Sequence, residues 1–146
     1  AMTDLELPRV RTEVEVMFFD TDCGGVVSNI SYLRFIEIAR TKLAEKLGLR
    51  LAEMSQTQRY PVVVRTEIDY RRAAKLADRL VVEGWLDRVE RARFWCAFRI
   101  VRSEDDTLIA ECRQMLALIE MAAGTLLRLP SDWDKYRSLT TVDPAK

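Results

Sequence analysis

Two carboxylates lie one residue apart in a glycine-containing segment between a predicted strand and a predicted helix. The segment reads Asp20-Thr21-Asp22-Cys23-Gly24-Gly25-Val26-Val27, and the chain contains no histidine. Ser-His-Asp catalysis, Cys-His catalysis and zinc sites that need histidine are therefore excluded for this chain. Chemistry at this segment would have to use a carboxylate without help from an imidazole.

Hydrophobic periodicity predicts the two elements that hold this segment. Residues 11–19 alternate and end in an apolar run, which is typical of a strand. Over residues 29–47, apolar side chains recur every three or four positions, which predicts an amphipathic helix that ends before Gly48. These side chains are Tyr32, Phe35, Ile36, Ala39, Leu43 and Leu47. Residues 51–56 predict a short second helix.

The rest of the chain is predicted to form four antiparallel strands. They cover residues 61–70, 79–87, 92–102 and about 107–120, and a short strand up to residue 129 and a helical turn at 130–133 would follow. Strict alternation over 61–70 predicts two faces. One face would carry Val62, Val64, Thr66, Ile68 and Tyr70, and the other Val63, Arg65, Glu67, Asp69 and Arg71.

One long helix covers only one face of such a sheet. The other face carries Trp85 and Trp95 together with charged side chains. We expect another subunit to cover part of this face, since large aromatic side chains on strands are typical of interfaces. Two separate surface tryptophans are the alternative.

Length and composition limit the class of protein. The 146 residues fit one domain, which we expect to cover residues 2–146, with Ala1 before Met2 taken as a remnant of expression. The 23 basic and 23 acidic residues give zero net charge, so no overall attraction to nucleic acid or to an anionic membrane is expected. Three widely spaced cysteines without a Cys-x-x-Cys motif argue against a disulfide framework and favour the reducing cytoplasm. No run approaches the roughly 18 apolar residues that a membrane helix needs.

Two consecutive motifs resemble those of a known family. Residues 18–27, Phe-Phe-Asp-Thr-Asp-Cys-Gly-Gly-Val-Val, and residues 32–40, Tyr-Leu-Arg-Phe-Ile-Glu-Ile-Ala-Arg, are similar to motifs of the hotdog-fold acyl-CoA thioesterases. The subgroup is the 4-hydroxybenzoyl-CoA thioesterase type, which includes the Tol–Pal-associated bacterial enzymes. Weaker similarity continues through residues 63–65, Tyr70 and Asp78 to residues 129–130, so it covers nearly the whole chain. Many members carry Tyr-His after Val-Val, where this chain has Ser28 and Asn29.

The resemblance implies an α+β hotdog fold, in which a five-stranded antiparallel sheet wraps a long central helix. It implies hydrolysis of an acyl-CoA or acyl-carrier-protein thioester to the free acid, without a metal or an organic cofactor; coenzyme A enters only as part of the substrate. Two subunits would join their sheets edge to edge with the sites at the interface, giving a homodimer or a homotetramer. Because Ser28 and Asn29 depart from the usual pair, a non-catalytic or weakly active acyl-binding module is the alternative. Hotdog dehydratases depend on a histidine that this chain lacks.

Asp22 matches the catalytic carboxylate of the family. An aspartate is ionised at neutral pH without an activating base, so Asp22 could attack the thioester carbonyl or deprotonate a water. A loop-holding Asx turn is the purely structural alternative. For Asp20 we favour a structural role, in which its carboxylate caps backbone N–H groups of the loop. Cys23 is the alternative nucleophile, but no base accompanies it.

The start of the predicted helix supplies the second half of the expected site. The first N–H groups of a helix lack internal partners and carry partial positive charge, which stabilises an oxyanion. The backbone N–H of Asn29 is the expected donor, and its side chain would either cap the helix or hold water or the thioester. The resemblance places further substrate contacts at Gly25, Val27, Ser28 and Tyr32, with packing in the core as the alternative for Tyr32.

A locally basic stretch is expected to meet the phosphates of coenzyme A, which arginine binds in a fork geometry. Arg65, Arg71 and Arg72 are the preferred candidates because they lie on or beside a strand next to the expected site. The stretch continues to Lys75 and Arg79, and a second candidate patch consists of Arg88, Arg91 and Arg93. A solvated charged face is the alternative for both groups.

Overall fold

The computed structural model of the protein describes residues 7–137. Both ends of the expected domain, residues 2–6 and 138–146, lie outside the described part, as does Ala1. The described elements are, in chain order, β1 (Arg9–Glu15), α1 (Asn29–Lys46), α2 (Leu51–Thr57), β2 (Arg59–Tyr70), β3 (Arg79–Val89), β4 (Arg93–Arg102), β5 (Leu108–Glu120), β6 (Thr125–Leu127) and α3 (Asp134–Arg137). The predicted order of one strand, a long helix, a short helix and then further strands is confirmed.

All the described strands belong to one antiparallel sheet. Five of them follow the order β1-β3-β4-β5-β2, and β6 pairs with the last residues of β5. The described sheet therefore has six strands, one more than the family resemblance implies. The sixth, β6, is the short strand predicted before residue 129, and the fold class is α+β. The sixth strand forms because the turn at Gly124, with a φ of +66°, folds the chain back on itself.

The apolar stripe of α1 packs on β1 and β3, on one face of the sheet. The buried side chains of α1 are Tyr32, Phe35, Ile36, Ala39 and Leu43, as the periodicity predicts. At the end of the helix, the carbonyl of Leu47 accepts the indole N–H of Trp133 at 3.1 Å. Gly48 follows with a φ of +87°, the left-handed conformation that commonly ends a helix.

The first strand is shorter than predicted. It ends at Glu15, and residues 18–20 form a 3-10 turn in which the N–H of Asp20 donates to the carbonyl of Met17 at 2.9 Å. The prediction of a strand up to residue 19 is wrong because the Asp20 carboxylate accepts the Met17 N–H and folds the chain back. Phe18 and Phe19 therefore project from the turn and are 80% and 75% exposed.

A β-bulge in β2 changes the predicted alternation of side chains. The register against β5 shifts between Val63 and Arg65, so Val64 is an extra residue in β2. Val63 consequently lies opposite the buried Leu116 and shares the core face with Thr66. Strict alternation placed Val63 on the other face and Val62 on the face of Thr66. Both predictions are wrong, since Val62 pairs with Ala117 and lies on the face opposite Val63.

The face of the sheet away from α1 carries Trp85 and Trp95. A guanidinium covers each indole: that of Arg9 lies 5.0 Å from the ring centre of Trp85, and that of Arg113 lies 4.4 Å from Trp95. Both tryptophans line an open groove of about 720 Å³. Arg113 also pairs with Asp87 at 3.0 Å, so this face combines aromatic surface with charges of both signs.

Candidate active site

The segment with the two carboxylates forms a small closed loop between β1 and α1. The backbone N–H of Asp22 donates to the carbonyl of Val26 at 2.9 Å, and that of Gly25 donates to the carbonyl of Asp22 at 3.0 Å. Gly25 has a φ of +74°, which glycine adopts without a steric penalty. Thr21 and Val27 pair across the loop. The turn that begins at Asp22 is therefore held by backbone hydrogen bonds on both sides.

The carboxylate of Asp22 is exposed and has one oxygen engaged. Its Oδ1 accepts the backbone N–H of Gly24 at 2.9 Å, which is the Asx-type contact considered as the structural alternative. Within residues 7–137, no group donates a hydrogen bond to Oδ2 and no cation pairs with this carboxylate. The loop backbone thus orients the carboxylate while its second oxygen stays available to a substrate or a water.

Asp20 is the opposite case, a buried carboxylate with both oxygens bonded. Oδ2 accepts the backbone N–H of Met17 at 2.9 Å, and Oδ1 accepts Nε of Arg34 at 3.0 Å as well as its Nη2. The side chain of Asp20 is 0% exposed and that of Arg34 is 42% exposed. The carbonyl of Asp20 also accepts the N–H of Ser28 at 2.9 Å. Asp20 therefore ties the loop to α1, in agreement with the structural role that we favoured.

Helix α1 begins where the loop ends, with Ser28 as the N-cap and Asn29 as the first helical residue. The Asn29 side chain therefore does not cap the helix, which corrects one of the two roles considered for it. Nor does the Ser28 side chain, since its Oγ contacts Oγ of Ser31 at 3.0 Å. The backbone N–H of Asn29 has no acceptor within residues 7–137. This end of α1 can therefore bind an anionic oxygen.

The segment after β2 forms a wall beside the loop. The N–H of Val27 donates to the carbonyl of Ala74 at 2.8 Å, and that of Leu76 donates to the carbonyl of Gly25 at 3.2 Å. Tyr32 supports this wall from the core: it is 3% exposed, and its hydroxyl oxygen accepts the N–H of Ala74 at 3.0 Å. Burial raises the pKa of the Tyr32 hydroxyl above its ordinary value, so the group stays neutral.

The three preferred arginines do not meet at one place. Arg71 and Arg72 follow β2 at the start of this wall. Arg71 pairs with Glu111 at 3.0 Å, whereas Arg72 is exposed and has no ion pair within the part of the chain that the structure describes. Arg65 pairs with Glu67 at 3.0 Å and lines the groove on the outward face of the sheet. The partners of Arg71, which are Glu111 and Asp69, line the same groove as Arg65, so Arg72 is the one of the three that makes no ion pair on this face within the described residues.

The cysteines differ in exposure. Cys23 lies exposed on the loop, whereas Cys96 and Cys112 are buried in β4 and β5. Burial raises the pKa of each of these two thiols to about 12. Cys96 and Cys112 are therefore core residues. No hydrogen bond or ion pair within the described ranges involves the Cys23 thiol.

Two residues that contact the site, Arg34 and Tyr70, are not predicted from the sequence as site residues. Arg34 is distant from Asp20 along the chain, and only the packing of α1 against the loop brings the two together. The hydroxyl of Tyr70 donates to the carbonyl of Asn29 at 3.3 Å, and its ring centre lies 5.4 Å from that of Tyr32. No local pattern signals either contact, although Tyr70 lies within the weaker family similarity.

Comparison with known proteins assigns these features to a family. The model of the thioesterase-like superfamily matches residues 16–136 of this chain. Acyl-CoA thioesterase YbgC from Haemophilus influenzae is 40% identical over 91 residues, which cover 62% of this chain and 67% of that protein. Acyl-CoA thioester hydrolase YbgC from Escherichia coli O6:H1 is 32% identical over 115 residues, 75% of this chain and 81% of that protein. The crystal structure of a probable thioesterase from Bartonella henselae matches with a TM-score of 0.76 at 26% identity, covering 84% of this chain and 99% of that one.

The antiparallel sheet packed on one long helix is the hotdog fold, which the thioesterase structure from Bartonella henselae shares. The chain belongs to the thioesterase-like superfamily and is a thioester hydrolase. Within residues 7–137, no helix is long and apolar enough to cross a membrane.

Proposed function

We propose that the protein is an acyl-CoA thioesterase that acts at the loop between β1 and α1 and releases a free acid and coenzyme A. One juxtaposition carries the proposal: the available carboxylate oxygen of Asp22 and the unpaired N–H of Asn29 belong to one closed loop and helix start. The names of the relatives from Haemophilus influenzae and Escherichia coli support acyl-CoA as the substrate.

The start of α1 binds the carbonyl oxygen of the thioester in this proposal. The N–H of Asn29 donates to that oxygen, and the partial positive charge of the helix end stabilises the oxyanion of the tetrahedral intermediate. One such donor is typically worth about 3 kcal/mol in the transition state. Gly25 and Val27 anchor the loop to the wall, and the N–H of Ser28 donates to the carbonyl of Asp20, so these residues fix the position of the Asn29 N–H beside the substrate.

Asp22 completes the reaction by one of two routes. As a general base it takes a proton from water, the water oxygen attacks the carbonyl carbon, and the intermediate expels the coenzyme A thiolate, which receives the proton. As a nucleophile its carboxylate oxygen attacks instead, forming a mixed anhydride and expelling the thiolate; water then cleaves the anhydride and regenerates Asp22. Neither route needs a metal or an organic cofactor, since coenzyme A is part of the substrate.

The coenzyme A phosphates are the proposed partners of Arg72, with Arg71 contributing in part. The exposure of Arg72 and its lack of an ion pair within residues 7–137 support this role, whereas Arg71 is already paired with Glu111. Arg65, on the outward face of the sheet, would reach substrate only at a site shared with another protomer.

The proposed assembly is a homodimer through β2. This edge strand has 12 residues and exposes Val63 and Val64, and an unpaired strand edge is a template for a second copy. The aromatic and charged outward face with Trp85 and Trp95 supports a homotetramer built from two dimers. Free cysteines support the reducing cytoplasm as the compartment.

A second candidate is a module that binds acyl-CoA or an acyl-carrier-protein thioester with little turnover. Asn29 favours it, because an amide side chain at the helix start cannot transfer protons as the histidine of many family members can. This candidate predicts binding of the thioester without hydrolysis.

The test is release of thiol from acetyl-, medium-chain, long-chain and aromatic acyl-CoA, followed with DTNB. Because the Cys23 thiol is exposed and we expect it to react with DTNB, the comparison is made in Cys23→Ala protein, which should keep most of the activity. Asp22→Asn should lower kcat roughly 100-fold or more. Asp106→Asn, an exposed aspartate outside the loop, is the matched control.

Two outcomes contradict the proposal. Equal losses in Cys23→Ala and Asp22→Asn would make the cysteine the nucleophile. Binding of acyl-CoA by well-folded protein without turnover of any member of the panel would favour the non-catalytic module.

A further inference from the structure

A cavity of about 170 Å³ lies between α1, α2 and the core face of the sheet. Its apolar wall combines Ala44 of α1, Met54 of α2, Pro61 of β2, Cys96 of β4 and Leu116 of β5. Because burial raises the pKa of the Cys96 thiol to about 12, this group is neutral and adds to the apolar wall. The cavity is suited to a hydrocarbon group.

Arg40, at the mouth of the cavity, is hydrogen-bonded within the protein. Arg40 donates through Nη1 to Oε1 of Gln114 at 2.8 Å, and Gln114 donates through Nε2 to Oγ1 of Thr66 at 3.2 Å. Arg40 also pairs with Glu37 at 3.7 Å. An alkyl chain therefore leaves neither Arg40 nor Gln114 without a partner. Glu37 and Thr41 also line the cavity, but Glu37 is exposed and Thr41 is only half-buried, so water can reach both side chains.

One stripe of α1 leads from the helix start to this cavity. Residues three or four positions apart share a face of a helix, and Asn29, Leu33, Glu37, Arg40 and Ala44 follow this spacing. Asn29 carries the unpaired N–H, whereas Glu37, Arg40 and Ala44 line the cavity. Leu33 lies between them and is 38% exposed, so the stripe is accessible between its ends.

Strand β2 forms the opposite wall of the same path. At one end the Tyr70 hydroxyl donates to the carbonyl of Asn29, and at the other end Pro61 lines the cavity. Between these ends, the bulge turns Val63 to the core face. Val63 and Tyr70 are 40% and 44% exposed because α1 packs on β1 and β3 and leaves this side of β2 partly uncovered.

We propose that this path and cavity bind the alkyl chain of a long-chain fatty acyl-CoA, with the thioester at Asn29 and the chain end beside Ala44, Met54 and Leu116. The inference rests on the proposed thioesterase function and specifies its substrate. The volume of the cavity then sets the length of the alkyl chain that binds.

The dimensions of the path indicate the length of the chain. Glu37 and Arg40 at the mouth are 8 and 11 residues beyond Asn29 (37 − 29 and 40 − 29), or about 12 and 16 Å along the helix. An extended chain advances roughly 1.2 Å per bond, so about 10 to 13 carbons reach the mouth. At about 30 Å³ per methylene, taken as equal to the volume of a water, the cavity holds roughly five more. An alkyl chain of about 15 to 18 carbons therefore fills the path along α1 and the cavity together.

The test uses S-octyl-CoA and S-hexadecyl-CoA, thioethers that no thioesterase can hydrolyse, with binding measured by calorimetry below their micelle concentrations. Ala44→Leu adds three carbons to the cavity wall and should displace about three methylenes of the longer chain. At roughly fourfold in affinity per buried methylene, S-hexadecyl-CoA should bind about 50-fold more weakly and S-octyl-CoA equally well. Ala52→Leu, on the exposed side of α2, is the matched control and should change neither value.

A second variant enlarges the cavity instead of reducing it. Leu51→Ala removes a cavity-lining side chain that is 58% exposed, so the fold should tolerate it. It should move the best-bound thioether from S-hexadecyl- to S-octadecyl-CoA. The inference is overturned if Ala44→Leu leaves the binding of S-hexadecyl-CoA unchanged, or weakens S-octyl-CoA as much. Because these ligands are not hydrolysed, an inactive protein that still shows the predicted chain-length pattern would contradict the thioesterase function and not this site.

Discussion

Replacing Arg34 with methionine should destabilise the protein, because it leaves a buried carboxylate with too few donors. Arg34 supplies two of the three hydrogen bonds to the Asp20 carboxylate, and the Met17 N–H supplies the third. Methionine keeps an unbranched stem that can still cover Phe35, whose ring centre lies 5.0 Å from the guanidinium. The substitution therefore removes mainly the charge and the donors.

The expected loss follows from the burial of the two partners. Removing one partner of a fully buried ion pair costs about 3–5 kcal/mol, whereas a hydrogen bond to a charged group is worth about 1.5–3 kcal/mol. Asp20 is 0% exposed but the Arg34 side chain is 42% exposed, so water can replace part of the guanidinium. We expect the free energy of unfolding to fall by about 2 kcal/mol, which lowers Tm by about 4–8 °C in a domain of this size.

Urea unfolding at one fixed protein concentration measures this loss, since association of subunits makes stability depend on concentration. Arg72→Met is the matched control, because Arg72 is exposed and without an ion pair within residues 7–137, and it should stay within about 0.5 kcal/mol of the parent. In the Arg34→Met background, Asp20→Asn should cost less than it does in the parent, because the two side chains act as a pair. If Arg34→Met also stays within about 0.5 kcal/mol, the reasoning about the buried carboxylate is refuted.

Two further predictions concern the thiols and the packing of the sheet. At pH 8 the native protein should react quickly with one equivalent of DTNB, at Cys23, and the unfolded protein should react with three. The reason is that Cys96 and Cys112 are buried and that burial raises the pKa of each thiol to about 12, so their thiolates form only as the pH approaches that value. A second fast thiol in native protein would contradict this. Gly84→Ala should lower the free energy of unfolding by about 1–3 kcal/mol, since its Cβ would lie 2.9 Å from two ring atoms of Phe98. Unchanged urea stability would show that Phe98 moves aside without cost.

Local pattern was sufficient to predict the elements of the fold and the segment with the candidate site. The spacing of apolar residues predicted α1 to within one residue at its end, because burial of one helical face imposes a period that the sequence carries. The carboxylate loop was found because Asp22 and its glycines lie close together along the chain. Family resemblance, not spacing, supplied the expectation of a catalytic role for Asp22.

Alternation failed where contacts distant along the chain decide the backbone. Phe18 and Phe19 continue an apolar strand pattern, yet the bonds of the Asp20 carboxylate to Met17 and to α1 replace the strand with a turn. The bulge at Val64 depends on pairing with β5 and leaves no mark in the local composition. Strand propensity describes a side chain on a regular pleat, and it carries no information about where the pleat is interrupted.

The sequence by itself determined the helix, the strand order along the chain and the loop with its carboxylate, since each depends on residues that are near neighbours. Tertiary structure alone decided that Arg34 holds Asp20, that Val63 turns to the core face, and that a path remains open between α1 and β2. The physical reason is that the burial of a side chain and its ion-pair partners depend on which surfaces lie against it, and those surfaces form only after distant segments of the chain have packed together.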